Sequence, residues 1–473
     1  MSLQSYFQIE AKGSTIHREI IGGITTFVAL SYIIFVQPVI LSQCGMDKSA
    51  VMFATCFCSA LACFIMGFWA NLPIALAPAM GHNFFFAFTV CGTVAVGGYG
   101  LDWQEALAAN CIAGILFLLL SIGGIRTIIM HAVPAGLKFA IAAGIGLLIA
   151  YEGFKRSGIL VRDPSDMYIT LGSLINPVTL LSLFSLLVLG LLLALRFRGA
   201  ILVGMILTAV AGYYASQLWG ESWGYELVAA PTKGEFPHVF ATAGKVVSGF
   251  GTLFQHNWQR IALVIFTFLL LDVFDSIGTL IGLGERANLL ENGRLPRDRQ
   301  ALMADAVGTI AGTWVGTSTV TSYIESSAGI HAGARTGLAA VVTGILLLAS
   351  ILAYPFVEVF GTAFQVPAYY LHSGGSEELV TCYPVIAPVL IVIGCYMLPV
   401  VRHIDWDDFS EALPAFLTIM IMPFAMSITD GIAWGFIAYA ALKLFSGKPR
   451  QCPLTVYLCA VLFVLYYLFN FYI

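Results

Sequence analysis

A glutamate sits among helix-loosening residues in TSTVTSYIESSAGIHAGARTG, which runs from Thr317 to Gly337 between two long apolar segments. Glu325 is one of few acids inside such segments. Asp272 and Asp275 lie in FLLLDVFDSIGTLIG, Asp430 opens SITDGIAWG, and Asp305 falls in the segment just before the Glu325 stretch. An ionisable group at membrane depth costs roughly 2.5–3.5 kcal/mol on insertion scales, so it marks a pathway or a binding site. Asp272 and Asp275 are three residues apart and share a helix face. No Lys or Arg stands near them in sequence. A carboxylate so placed can accept ring or amide N–H donors, or take up and release a proton. Asp430 has a second reading, since Thr-Asp-Gly before an apolar run also suits a helix cap. Asp272 reads best as a packing residue, and Asp305 as one near a segment end.

These acids need elements that hold them in lipid. The chain has 473 residues, 59% hydrophobic and 10% charged, with a mean hydropathy of +0.89. A soluble domain carries about 25% charged residues. Apolar runs near twenty residues recur throughout, which predicts an all-α protein crossing the bilayer many times. The net charge of −4 and the lack of a basic tract exclude nucleic acid as a partner. The ten cysteines show no metal-ligand spacing, and no cofactor or metal is expected. Ser/His/Asp and HExxH arrangements are missing from the apolar spans, which argues against an enzyme.

Fourteen spans are expected, at about 20–43, 49–70, 75–95, 104–124, 131–152, 177–195, 199–219, 260–284, 298–316, 318–332, 335–360, 382–400, 411–428 and 430–446. The domain plan follows. Residues 1–19 form a cytoplasmic N-terminus without a cleavable signal pattern, 20–219 a first repeat of spans 1–7, and 220–258 an external loop. Residues 259–446 form a second repeat of spans 8–14, and 447–473 a hydrophobic extension. The charged turn 285–299 lies on the cytoplasmic side. With the N-terminus inside, 15 of the 22 Lys and Arg residues fall on that side. Lys155, Arg156 and Arg162 fall on the other.

Each half has one short, interrupted segment third in order: span 3, opening NLPIALAPAMGHN, and span 10, the Glu325 stretch. A matched pair of broken segments points to a transporter built from inverted repeats, and seven spans per repeat is the odd number that inversion requires. Pro73 and Pro78 bar regular helix before Met80, which puts a helix start near Gly81. The Thr, Ser and Val of TSTVTS suit a strand, with a helix from about Tyr323. Helix starts carry unpaired amides and the positive end of the dipole. Asn83, Phe84 and Phe85 are expected to face Tyr323, Glu325 and Ser326. Carboxylate, amide, hydroxyls and aromatic faces around a small dry space suit a flat, polar, uncharged heterocycle. His82 reads either as a packed neutral imidazole or as a proton relay. His238 and His256 carry no signal.

ALAPAMGHN, FDSIGTLIG, GTSTVTSYIESSAG, GARTGLAAVVTG and SITDGIAWGF, in this order, resemble the adenine/guanine/hypoxanthine (AzgA-like) permeases of the nucleobase:cation symporter superfamily. The likeness covers essentially the whole chain. It implies a core domain of spans 1–4 and 8–11 and a gate domain of spans 5–7 and 12–14. It implies a purine nucleobase bound between broken spans 3 and 10, and a homodimer in a bacterial inner membrane. Carried onto this chain, the span-8 acid is Asp275 and the span-10 acid is Glu325, with Tyr323 and Ile324 beside it. The span-3 position is Asn83 with Phe84, and the span-14 acid is Asp430. One departure stands out: His82 occupies a place where such permeases commonly have Leu, which bears on substrate preference. The TSTVTS form looks more like adenine-type members.

The expected mechanism is proton symport. Glu325 or Asp275, with Asp430 as a third coupling candidate, takes a proton and lets a neutral purine bind. The core then moves against the gate. Sodium coupling is the near alternative, since the same acids can hold Na⁺. An anion exchanger of the same architecture would want a basic residue in the cavity, and a channel would want a continuous polar pore.

Overall fold

The computed structural model describes residues 3–93, 98–123, 133–162, 169–223, 227–228, 239–286, 295–367 and 379–470. Most of the expected loop between 220 and 238, residues 287–294 of the expected 285–299 turn, Arg126 and His238 lie outside the described residues.

The chain opens with a short helix α1 (Leu3–Phe7), then α2 (Ile16–Leu30), which Thr15 caps by accepting the Arg18 amide at 3.3 Å. A break at Ser31–Tyr32 leads into α3 (Ile33–Ser42), which contains Pro38. Asp47 caps α4 (Lys48–Ile65), continued by a wider turn to Ala70. Strand β1 (Leu76–Pro78) follows, then α5 (Met80–Phe84) with a wide-turn extension to Val90, and α6 (Trp103–Gly123). Helix α7 (Ala135–Arg156) is followed by β2 (Leu160–Arg162) and β3 (Ile169–Leu171). Asn176, with Pro177 at the first helical position, starts α8 (Pro177–Ala194), and α9 is Ala200–Trp223.

The second half runs α10 (Val246–Leu253), α11 (Trp258–Arg286), α12 (Asp298–Val315), β4 (Val320–Ser322), α13 (Ser326–His331) and α14 (Gly337–Ala349). A 3₁₀ stretch with Pro355 leads to α15 (Val357–Phe360), then β5 (Phe364–Pro367) and β6 (Leu379–Cys382). The chain closes with α16 (Ala387–Met397), α17 (Phe409–Ala425), α18 (Ile428–Phe445) and α19 (Leu454–Asn470). Among the described residues, nine helices or helix pairs are long and apolar enough to cross a membrane. The protein is a multi-pass helical membrane protein.

The chain is not purely helical. Three antiparallel two-stranded ladders form, β1 with β4, β2 with β3 and β5 with β6. The last two were not expected; Val, Thr and Leu in LVR, ITL and LVTC favour extended backbone at the ends of spans. Part of the expected 220–258 loop is also structured. VVSGFGTL is apolar enough to fold as α10 and pack on α6, where a side chain at Gly249 would collide with the Gln104 carbonyl.

Helices pack in two groups. One gathers α2, α4, α6, α11, α12 and α14, the other α7, α16, α17 and α18. Close backbone approaches hold each group. A Cβ on Gly337 would overlap the Gly67 backbone, and one on Gly394 would overlap the Gly146 carbonyl, so only glycine fits there. The α17–α18 pair encloses Lys443, 1% exposed, whose Nζ lies 2.7 Å from Glu411 Oε1, 2.8 Å from Ser410 Oγ and 5.2 Å from the Tyr439 ring. Asp408 accepts from the Ser410 hydroxyl and amide and from Lys448 at 3.1 Å. These bonds, Ser410 first, hold its carboxyl well below the usual carboxylate range. A depressed carboxyl stabilises fully above the unfolded value of about 3.9 and loses that effect only as pH falls through its folded value.

Removing one partner of a buried ion pair strands the other charge, at a cost of about 3–5 kcal/mol. Lys443→Ala should therefore lower the melting temperature of the detergent-purified protein markedly, while Lys443→Met with Glu411→Leu should recover most of it. An unchanged melting temperature in Lys443→Ala would contradict the assignment.

Candidate functional site

The site forms where β1 and β4 cross in mid-bundle. Leu76 pairs with Ser322, Ala77 with Thr321 and Pro78 with Val320. The ladder continues at both ends: the Ala79 amide donates to the Thr319 carbonyl and the Tyr323 amide to the Ala75 carbonyl, each at 2.9 Å. Ser326 Oγ accepts the Ala75 amide at 3.0 Å. Two strands that interrupt helices inside lipid must satisfy each other, and these do. Helix α5 begins at Met80, one residue beyond β1, and α13 at Ser326, after a turn over residues 323–325 where helix was expected from about Tyr323.

Around this crossing, Glu325 is half-buried and its Oε1 accepts the Tyr32 hydroxyl at 2.7 Å. Asp275 on α11 keeps accessible surface, and its Oδ2 accepts the Thr321 hydroxyl at 3.1 Å. Tyr323 is buried with its hydroxyl on the Pro78 carbonyl at 2.6 Å, which ties α13's entry to α5's. Ile324 is 48% exposed. Tyr396 of α16, also exposed, lies within electrostatic range of Glu325. Asp275, Ile324, Glu325 and Tyr396 thus border one accessible face of β4 and α13.

Three expected contact residues are placed differently. Asn83 is fully buried, and its amide is spent on Gln37 Oε1 and the Ser318 hydroxyl. Gln37 in turn donates to Thr317 at 3.1 Å and Ser318 at 3.0 Å. Asn83 therefore clamps α3, α5 and the residues leading into β4. Ser326 likewise spends its hydroxyl on the Ala75 amide, and Phe84 packs on Phe88, ring centroids 5.3 Å apart. His82 is buried, with no partner for Nε2 among the described residues. Asp430 sits in the first turn of α18, which Ser427 caps, and accepts the Tyr467 hydroxyl at 2.6 Å. Its bonds join α18 to α19 and do not reach Asp275 or Glu325.

Sequence reasoning missed Tyr32, Gln37, Asp305 and His256. Tyr32 and Gln37 were signalled only as polar residues in an apolar first span. Asp305, read as lying near a segment end, is wholly buried and accepts the Ser322 hydroxyl at 2.9 Å. His256, read as a loop residue without signal, has Nε2 3.1 Å from both oxygens of Glu105, joining the start of α11 to α6. An apolar cavity of about 560 Å³ between α3, α9 and the 356–360 segment has no charged side chain in its lining and is separate from these acids.

The end of the α3/α5–α7/α16 boundary near Arg156 is closed. Gln43 Nε2 donates to Tyr383 Oη at 2.5 Å. The Arg156 guanidinium lies 6.0 Å from the Phe88 ring and 5.9 Å from the Tyr383 ring, and its Nε is 3.3 Å from buried Glu152. Phe84 lines the same narrow crevice. This clasp spans the two helix groups.

The Xan_ur_permease model, described as a permease family, matches residues 17–364. Over 465 residues the chain is 38% identical to the adenine permease AdeP of Escherichia coli (strain K12), covering 98% of this chain and 95% of that protein. Over 478 residues it is 38% identical to the guanine/hypoxanthine permease PbuG of Bacillus subtilis (strain 168), covering 99% and 100%. In fold it is similar to the transmembrane domain of a cyanobacterium bicarbonate transporter, BicA, with a TM-score of 0.60 at 12% identity over 88% of this chain and 96% of that one. SLC26A9 follows at 0.59 and 12%, over 94% and 66%.

Arg156→Ala combined with Tyr383→Phe should open the clasp. Modification of neighbouring Cys382, now fully buried, by a polar maleimide should then rise several-fold in peptide mass spectra of the purified protein. Unchanged modification would show that the clasp does not hold this end shut.

Proposed function

The chain belongs to the Xan_ur_permease family of permeases, and from that premise we propose that it imports purine nucleobases by proton symport. One observation carries the reading. Asp275 and Glu325 border the same accessible face of β4 and α13, each bonded to a hydroxyl and neither to a basic side chain among the described residues. Two carboxylate acceptors beside Tyr323 suit ring N–H donors on a flat neutral base. They disfavour an anion, although proteins similar in fold include a bicarbonate transporter and an anion transporter. Relatives named for adenine and for guanine/hypoxanthine share the same 38% identity, so identity does not choose between them. The TSTVTS form of the strand favours adenine.

The architecture put forward is fourteen spans in two inverted repeats of seven. Spans 3 and 10 are the β1–α5 and β4–α13 segments. The helix group carrying these segments forms the core, and the group holding α7, α16, α17 and α18 forms the gate. The N-terminus lies in the cytoplasm of a bacterial cell and the chain in its inner membrane, paired as a homodimer. With the Arg156 clasp shut and Asp275 accessible, the geometry suits a carrier open toward one side only. Movement of core against gate would break the Gln43–Tyr383 and Arg156–Phe88 contacts and expose the base to the other side. Proton uptake by the acids grouped around β4 accompanies binding of the base, and release of the proton weakens the hold on it. Sodium coupling is the alternative reading of the same acids.

Asp275→Asn and Glu325→Gln should each abolish uncoupler-sensitive accumulation of labelled purine in cells expressing the protein at normal levels. Either variant concentrating purine as the parent does would remove that acid from the site.

A further inference from the structure

Behind the accessible face lies a second group of acids. Asp272, one turn before Asp275, is 2% exposed, and Asp305 on α12 is 0% exposed. Among the described residues, Asp272 Oδ1 and Asp305 Oδ2 both lack a hydrogen-bond partner, as does the fully buried Ser276 hydroxyl. Helix α11 packs on both α12 and β4, which brings these groups into one neighbourhood: Ser276 follows Asp272 by one helical turn, and Asp305 reaches β4 through Ser322. The remaining oxygen of Asp305 is held by the Ser322 hydroxyl of β4.

We propose that Asp272 and Asp305 hold the coupling proton between them, behind β4 and apart from the face that meets the base. The inference rests on the transport reading above and names the site of its coupling ion. Two neighbouring carboxylates in an apolar bundle cannot both stay charged without a cation. One proton converts the pair to a donor and an acceptor that satisfy each other.

Groups on the surrounding elements do not supply the missing charge. From α4 comes Cys63, which bonds the Leu76 backbone; from β4 and α13 come Tyr323, Glu325 and His331; from α5 comes His82. On α6 the titratable groups are Cys111 and Glu105, the latter occupied by His256. No Lys or Arg is bonded to the pair among the described residues; Lys138 of α7 approaches α11 at the Phe274 ring, 5.5 Å from its centroid. When the proton leaves, two facing negative charges push α11 from α12. Because Thr321 and Ser322 bond Asp275 and Asp305, that push acts directly on β4 and on the site it carries.

The test uses the full-length protein in lipid vesicles with labelled adenine, hypoxanthine and guanine as probes. Asp305→Asn keeps an acceptor for Ser322 but cannot share a proton. It should retain exchange of internal for external base and lose accumulation driven by a pH gradient. Asp305→Glu, which restores the carboxyl, should keep accumulation. Normal accumulation by Asp305→Asn would overturn the proposal. So would loss of exchange by well-folded Asp305→Asn, uncoupling of well-folded Asp305→Glu, or accumulation by the parent driven by a sodium gradient alone. If the parent moves none of the three bases, the transport reading fails before the pair is tested.

Discussion

The structure depends on one constraint: backbone that leaves the helical state inside lipid must find all its partners within the protein. Leu76–Pro78 and Val320–Ser322 meet this by pairing with each other, more than 240 residues apart in sequence. The consequence reaches every nearby element. The Ala75 and Ala79 backbones extend the ladder, Ser326 caps one end of it, and the Tyr323 hydroxyl bridges to Pro78. Gln37, Asn83, Thr317 and Ser318 brace it from α3 and α5. Side chains on β4 then project to both flanks, Thr321 to Asp275 and Ser322 to Asp305.

That constraint also explains which parts were legible in the sequence. Pro73, Pro78 and the TSTVTS run forbid or disfavour helix by local stereochemistry, so extended backbone at Leu76–Pro78 and Val320–Ser322 could be read from a few residues each. The long apolar runs showed equally well, because lipid imposes length and composition directly. What escaped depends on tertiary position. Asp305 lies in an ordinary-looking helix, and only packing of α12 against β4 reveals that it is buried beside Asp272. Asn83 has the right type for a ligand contact, yet Gln37 and Ser318 consume its amide. Asp430 looked like a third acid for the site until Tyr467 claimed it. The β2–β3 and β5–β6 ladders were hidden because three or four extended residues at a span end carry little periodic signal.

A shared fold does not carry a shared cargo. Similarity to anion-transporter structures at 12% identity establishes architecture alone. The sign and spacing of charges at the crossing distinguish this chain: hydroxyl-bonded carboxylates on both flanks of β4, with aromatic residues next to them. On the proposed reading, binding a neutral base there and changing the protonation of nearby acids are linked, because both act on the same three-residue strand.

The central claim is purine import, and uptake into cells lacking their own purine permeases tests it most directly. Labelled adenine, hypoxanthine and guanine would each be supplied with and without a proton uncoupler. The account predicts concentrative uptake of at least one base, collapsing when the uncoupler is added. Well-expressed protein that accumulates none of them would contradict it.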